Sequence, residues 1–174
     1  MTLMNRNEKT NVKKTALYGL IIAAALVLSW IESQIPPFFP IPGMKIGLTN
    51  IIVVLTLYKL GSSSAMAANV LRIALVSMLF GGIMSMLYSL AGGMLSTVVM
   101  ILLKKTGKFK TVTVSIAGGI SHNIGQILVA MLALNTSGIA WYLAALWFTG
   151  MASGTLIGIL SNELIKRLPD KLFT

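Results

Sequence analysis

The sequence contains no cysteine and only four acidic residues, and each shortage excludes a class of chemistry. Without cysteine the chain can form no disulfide bond, thiolate metal site or cysteine nucleophile. Its acids are Glu8, Glu32, Glu163 and Asp170, and no two of them lie within one helical turn in sequence. The clustered carboxylates that hold Mg²⁺ and a diphosphate are therefore missing. A single histidine cannot build a multi-histidine metal site either.

Motifs for nucleotide hydrolysis are also missing. A phosphate-cradling loop has the pattern G-x-x-x-x-G-K-[S/T], but the one Gly-Lys pair here, Gly107-Lys108, is followed by Phe109. Nucleophile-elbow and zinc-protease motifs are absent as well. We therefore predict a protein that is not an enzyme, with no catalytic residue, no metal ligand and no bound cofactor of its own.

Charge is scarce along the whole chain. Only 10% of its residues are charged and 56% are hydrophobic, whereas about a quarter of the residues in a soluble domain are charged. This composition predicts an integral membrane protein. The net charge of +10 indicates that the chain attracts anionic lipid headgroups rather than nucleic acid. The basic residues adjoin apolar runs and form no stripe interleaved with aromatic residues.

Glycine, proline and basic loops divide the apolar sequence into six segments, each near the roughly 20 residues that a helix needs to cross a bilayer. They predict an all-α membrane protein with spans at about 15–35, 44–60, 64–80, 83–103, 112–134 and 139–165. In this prediction a basic tail at 1–14 and a short tail at 168–174 flank a six-helix domain at 15–167. The first span is followed by a proline-rich run and not by a small-residue cleavage site. We therefore expect a retained helix rather than a signal peptide.

The positions of the basic residues predict the orientation of the chain. Twelve of the fourteen Lys and Arg residues fall in four clusters, at 6–14, 59, 104–110 and 166–171. Short cytoplasmic loops retain Lys and Arg, whereas translocated short loops are poor in them. Six spans put all four clusters on one side, so we predict that both termini are cytoplasmic. The two exceptions are Lys45 and Arg72.

The fifth span carries the densest polar cluster at membrane depth, Ser121-His122-Asn123-Ile124-Gly125-Gln126. His122 and Gln126 are four residues apart and share a helix face, and Gly118 leaves space beside them one turn earlier. Polar groups in hydrocarbon are costly unless they face protein or water. We predict that His122, Asn123 and Gln126 contact a ligand. Interhelical hydrogen bonding is the alternative.

Arg72 lies near the middle of the third span, where its permanent charge requires a carboxylate, carbonyl groups or water. We predict that Arg72 contacts ligand, together with Asn69, which lies one turn earlier on the same face. The alternative is a structural contact, for which Glu32 at the outer end of the first span is the candidate acidic partner.

Lys45 follows the rigid loop Pro40-Ile41-Pro42-Gly43 at the outer start of the second span. We predict that this loop folds over an outward-facing pocket, where Lys45 meets an anionic group. An interfacial lysine that snorkels is the alternative. Asn50, deeper in the same span, is a further candidate for ligand contact. Lys45, Arg72 and His122 against one nearby acid together predict an anionic ligand.

Two stripes of small residues predict close contacts between helices. In the sixth span, Gly150-x-x-x-Gly154-x-x-x-Gly158 allows another helix of this protein to approach closely. In the first span, Gly19 and Ala23, with Ala16 nearby, form a second stripe toward the cytoplasmic half. We predict that this second stripe docks a partner protein.

Four different motifs lie along the apolar sequence. They are Pro42-Gly43-Met44-Lys45-Ile46-Gly47-Leu48-Thr49-Asn50-Ile51, Leu71-Arg72 ahead of Phe80-Gly81, Ser89-Leu90-Ala91-Gly92-Gly93, and Ser121-His122-Asn123-Ile124-Gly125-Gln126. Together they resemble the Gx transporter family, whose members also carry the name heptaprenyl diphosphate synthase component I. The likeness runs from about residue 15 to about residue 165.

That family is similar to the substrate-binding S components of energy-coupling factor (ECF) transporters. The resemblance implies a six-helix bundle with an outward ligand pocket in a prokaryotic cytoplasmic membrane. It also implies docking onto a membrane scaffold subunit bound to two ATPase subunits, which use the ATP. Docking in such systems uses small residues on helix one, often as Ala-x-x-x-Ala, to which Gly19-x-x-x-Ala23 is the nearest match here. The enzyme name fits poorly with the missing carboxylates.

We therefore predict an S component that binds a small anionic molecule, carboxylated or phosphorylated. A vitamin, or a quinone or isoprenoid precursor, is a candidate ligand. One alternative is a non-catalytic membrane subunit associated with a prenyl diphosphate synthase, and another is an autonomous channel or facilitator.

Overall fold

The computed structural model describes residues 6–35 and 47–173. Within these residues the chain forms six α-helices and two 3₁₀ turns, Gly138–Trp141 and Asp170–Leu172, with no strand. The helices are α1 (Arg6–Gln34), α2 (Asn50–Lys59), α3 (Ser62–Phe80), α4 (Ile83–Lys105), α5 (Thr111–Leu134) and α6 (Tyr142–Arg167). All except α2 are long and apolar enough to cross a membrane. The predicted all-α class is confirmed, and the chain is a multi-pass membrane protein.

The helix ends follow the glycine and charge patterns closely, except at the starts of α1 and α2. Helices α3 and α4 are separated by Gly81 and Gly82, which confirms the predicted division of residues 64–103. Helix α1 begins at Arg6 and not at residue 15, because the polar segment before the first span contains no glycine or proline to end a helix. Part of the predicted tail at 1–14 is therefore helical.

Helix α2 differs from the predicted span at 44–60. It contains ten residues, so it is about 15 Å long and crosses roughly half of the hydrocarbon layer. Gly47 has a φ angle of +79°, which a right-handed helix does not contain, and the chain becomes helical only at Asn50. Residues 51–57 of this helix are all buried. It is a central helix surrounded by its neighbours.

Helices α4, α5 and α6 pack antiparallel through glycines. A Cβ atom added to Gly154 of α6 would lie 2.7 Å from Cα of Ile116 in α5, and one added to Gly158 would lie 2.8 Å from Cα of Val112. At these two positions only the hydrogen atom of a glycine fits between the helices. The glycine stripe of the sixth span therefore packs within this protein, as predicted.

The apolar core lies in the half of the bundle that carries the basic loops. The buried residues of its largest cluster come from five helices and are Ile51, Val53, Val54, Leu57, Ala65, Met100, Val114 and Ile157. Lys59 closes this end by donating to the Leu168 carbonyl at 2.9 Å and to Oδ1 of Asp170 at 2.7 Å. The opposite half of the bundle is not filled in this way.

Candidate ligand-binding site

A cavity of about 120 Å³ lies in the half of the bundle away from the basic loops. Since one water molecule takes about 30 Å³ of liquid volume, the cavity has space for several waters or a small organic molecule. All six helices contribute to its wall, α2 through its first residue. The polar residues of the wall are Ser29, Glu32, Ser33, Thr49, Asn50, Arg72, Ser77, Ser85, Ser89, His122, Asn123, Gln126 and Ser153.

Most of the residues predicted to contact ligand meet in this cavity. Those that line it are Asn50, Arg72, His122, Asn123 and Gln126, although they come from three different helices. Lys45 and the proline-rich loop predicted to cover the pocket lie outside the described residues. Contact with a ligand stays a prediction for all of them.

Arg72 is held by neutral amides. Its Nη2 donates to Oδ1 of Asn50 at 2.7 Å, and its Nε donates to Oδ1 of Asn69 at 2.9 Å. A guanidinium has five N–H donors, so donors remain beyond these two contacts. Within residues 11–35 and 47–173 no carboxylate lies within ion-pair distance of Arg72. The cavity therefore contains a fixed cation whose charge is not neutralised by direct pairing.

Asn69 supports Arg72 from behind. It is buried and is not part of the cavity wall. Its Nδ2 donates to the Gly93 carbonyl at 2.9 Å and to Oγ1 of Thr97 at 2.8 Å, both on α4. The side chain that was predicted to touch ligand thus joins α3 to α4 and orients the guanidinium.

Glu32 does not form the ion pair considered for it. Its Oε1 accepts a hydrogen bond from the backbone N–H of Gly47, just before α2. Gly47 lies two residues before the N-cap residue Thr49, so its N–H takes no part in the hydrogen bonds of α2, and the carboxylate satisfies it. Glu32 and Arg72 line the same cavity from α1 and α3.

His122 and Gln126 reach the cavity because α5 lies against α4 at glycines. A Cβ atom added to Gly92 would lie 2.6 Å from the His122 carbonyl oxygen and 2.9 Å from Cγ of Gln126. A Cβ atom added to Gly125 would lie 2.8 Å from the Ala91 carbonyl oxygen. The Nδ1 atom of His122 is buried and has no hydrogen-bond partner in the described part of the chain.

Asn123 has a structural partner. Its Nδ2 donates to the Leu146 carbonyl of α6 at 2.6 Å. The alternative of interhelical hydrogen bonding therefore applies to this residue, although the same side chain also lines the cavity. The polar cluster of α5 thus combines packing with cavity lining.

The sequence prediction missed the serines of the wall. Ser77, Ser85 and Ser89 line the cavity on α3 and α4, and Ser29 and Ser33 line it on α1. Ser29 and Ser33 are four residues apart, as are Ser85 and Ser89, so each pair occupies one helix face. This repeated spacing in the outer halves of the helices was the signal that could have identified them.

The predicted docking stripe lies apart from the cavity. Ala16, Gly19 and Ala23 are exposed on α1. A Cβ atom added to Gly19 would have no atom within 4 Å. Among the described residues, Gly19 therefore packs against no other helix.

A family described as heptaprenyl diphosphate synthase component I matches residues 21–164. The chain belongs to this family. The matched segment includes every residue of the cavity wall, whereas Ala16 and Gly19 of the docking stripe precede it. Comparisons with curated proteins and with solved structures gave no match. The family description indicates a membrane component related to a heptaprenyl diphosphate synthase.

Proposed function

We propose that this chain is the substrate-binding S component of an ECF-type importer in the cytoplasmic membrane of a prokaryote. The observation that carries the proposal is the placement of Arg72 in a cavity at the end of the bundle opposite the basic loops. With cytoplasmic basic loops, this cavity faces the outside, where an importer collects its ligand.

The ligand in this proposal is a small molecule that carries a carboxylate or a phosphate. Arg72 binds the anionic group with the N–H donors that Asn50 and Asn69 leave unused. His122, Gln126 and the serines of the wall orient the rest of the molecule. A vitamin, or a quinone or isoprenoid precursor, with such a group is a candidate.

Release to the cytoplasm needs a conformational change in this proposal. Below the cavity, α2 fills the bundle with the buried side chains of Val53, Val54 and Leu57. This packing favours an importer subunit over an autonomous channel. The scaffold subunit docks on the Ala16, Gly19 and Ala23 stripe, and two ATPase subunits bound to the scaffold supply the energy from ATP.

The family description favours a second candidate function, a non-catalytic membrane subunit associated with a prenyl diphosphate synthase. In that case the basic loop at 104–110 would lie where a soluble partner could reach it. The cavity would then have no required role in transport.

Purification of the tagged chain from its native membrane tests the two functions. Mass spectrometry of the co-purified proteins is expected to find a scaffold subunit and ATPase subunits. Recovery of a soluble prenyl synthase without them would contradict the importer. Proteoliposomes that contain the complex should take up ligand only with ATP at the ATPase side, and uptake without ATP would indicate a facilitator.

A further inference from the structure

We propose that the ligand of this cavity is dipolar, with an anionic group at Arg72, an ammonium or other hydrogen-bond donor at Glu32, and an apolar face against α3. This inference rests on the proposed function and names the ligand class of the same site. It replaces a purely anionic ligand with one whose two ends differ in charge.

The first argument is the charge of the wall. Arg72 from α3 and Glu32 from α1 both line the cavity, and the described wall contains no other Lys, Arg, Asp or Glu. A ligand that is only an anion would leave the Glu32 carboxylate without a counter-charge from the ligand in a site that ligand binding dehydrates. A ligand that is only a cation would leave the guanidinium in the same position. Because an unpaired charge in a dehydrated site is costly, a dipolar ligand is favoured over both.

The second argument is the hydrogen bonding around Glu32. An ionised carboxylate only accepts hydrogen bonds, and the Gly47 N–H occupies Oε1. Two hydroxyls of α1 form hydrogen bonds elsewhere: Oγ of Ser29 lies 2.8 Å from Oγ1 of Thr49, and Ser33 donates to the Trp30 carbonyl at 2.7 Å. Oε2 of Glu32 has no hydrogen-bond partner among the described residues. This oxygen is the acceptor that a donor group of the ligand would use.

The third argument is the apolar part of the wall. Ile73, Val76 and Phe80 line the cavity on α3, beside Arg72. Their spacing of three and four residues places them on one side of the helix. A ligand with an apolar body between its two polar groups would bury that body against these side chains.

Competition between matched small molecules tests the proposal. The probe is an equimolar mixture of the protein amino acids and two analogues of each. One analogue is the amine that lacks the carboxylate, and the other is the acid that lacks the amino group. The purified protein in nanodiscs is incubated with this mixture, and retained compounds are identified by native mass spectrometry. We expect at least one amino acid to be retained at least tenfold over its own amine and acid, since charge-assisted hydrogen bonds are worth that much or more.

The variants assign the two ends of the ligand. Glu32→Gln should lose the preference for the amino acid over its acid, and Arg72→Gln should lose the preference over its amine. Glu163→Gln and Arg167→Gln are matched controls, because these exposed side chains pair with each other at 2.7 Å near the end of α6. The wild-type preference is itself decisive, so the test does not depend on whether Glu32→Gln folds.

The outcomes separate this inference from the proposed function. Retention of an acid as strongly as the matching amino acid would overturn the dipolar ligand and leave an importer of anions. Retention of no probe at all would also overturn the dipolar ligand and leave the importer untouched, because the mixture holds no vitamin or precursor. Retention of amines alone would contradict the anion site at Arg72 and with it the proposed function.

Discussion

The Arg72 guanidinium donates from Nη2 to Oδ1 of Asn50 at 2.7 Å, and this hydrogen bond joins the middle of α3 to the first residue of α2. Because Asn50 is neutral, it positions the guanidinium without cancelling its charge. The charge therefore remains available to a ligand. A carboxylate at position 50 would remove that availability with almost no change of shape.

The substitution Asn50→Asp is expected to weaken ligand binding by roughly ten- to hundredfold, the range of a lost charge-assisted hydrogen bond. The new carboxylate would pair with Arg72 and repel an anionic group. The melting temperature should not fall, because the hydrogen bond is replaced by an ion pair. Calorimetric titration with the ligand retained on the native protein measures the change.

The control for this variant is Asn162→Asp, which introduces the same carboxylate near the end of α6 that carries Lys166 and Arg167. Its ligand affinity should equal that of the wild type. If Asn50→Asp bound ligand as tightly as this control, Arg72 would not be the anion site.

His122 and Asn123 are neighbours in sequence but are expected to respond differently to alanine. His122 has an unpartnered Nδ1 in the described structure, so His122→Ala should weaken ligand binding and leave the protein folded. Asn123 donates to the Leu146 carbonyl, so Asn123→Ala should lower the free energy of unfolding by about 0.5 to 1.5 kcal/mol. Thermal unfolding and ligand affinity, measured on both variants, separate the two roles.

Lys45→Ala is expected from the sequence alone to weaken ligand binding as well. The variant tests whether the lysine at the start of the second span contacts the anionic group or only snorkels to the interface. Unchanged affinity in both His122→Ala and Lys45→Ala would contradict the proposed pocket.

Gly92→Ala tests the close approach of α4 and α5. Its Cβ atom would lie 2.6 Å from the His122 carbonyl oxygen, so the helices must separate. We expect a loss of about 1 to 3 kcal/mol in stability, the typical cost of an overpacked contact, together with weaker ligand binding. Gly82→Ala is the matched control, because a Cβ atom there has no neighbour within 4 Å. Equal melting temperatures for the two variants would contradict the close contact.

The sequence predicted the helices well because hydropathy and helix-breaking residues are local properties. Gly81 and Gly82 divide α3 from α4 as expected. Helix α2 was overestimated, because the left-handed conformation of Gly47 cannot be read from an apolar run that contains a single glycine. In the site, the polar residues inside apolar spans could be identified individually, since each is costly in lipid.

The partners of those residues could not be predicted in the same way. Glu32, at the outer end of the first span, was the candidate acidic partner of Arg72. In the structure the guanidinium donates to the amide oxygens of two asparagines, and the carboxylate accepts from the Gly47 N–H. Opposite charge suggested a pair, but the choice among nearby acceptors depends on how α1, α2 and α3 are placed relative to one another. That placement is a tertiary property and leaves no local signal.

Gly19→Leu tests the docking surface on α1. The position has no neighbour within 4 Å, so a leucine there should leave folding and ligand binding unchanged. On the importer proposal it should abolish co-purification of the scaffold and ATPase subunits, because small residues allow helices to approach closely. Ala152→Leu, at an exposed position of α6, is the matched control and should keep the partners. Full recovery of the partners with Gly19→Leu would place docking on another surface.

Because the chain has no cysteine, single cysteines can report its orientation directly. Ser63 lies at the start of α3, four residues after Lys59, at the end of the bundle that carries the basic loops. Ser137 lies between α5 and α6, at the opposite end, which contains the cavity. Both residues are exposed. A membrane-impermeant maleimide should label Ser137→Cys in intact cells and Ser63→Cys only after the cells are permeabilised. Retained ligand binding by each variant controls for folding. The reverse labelling pattern would turn the cavity toward the cytoplasm, where Arg72 could not collect a ligand from outside, and the importer proposal would fail whatever the cavity binds.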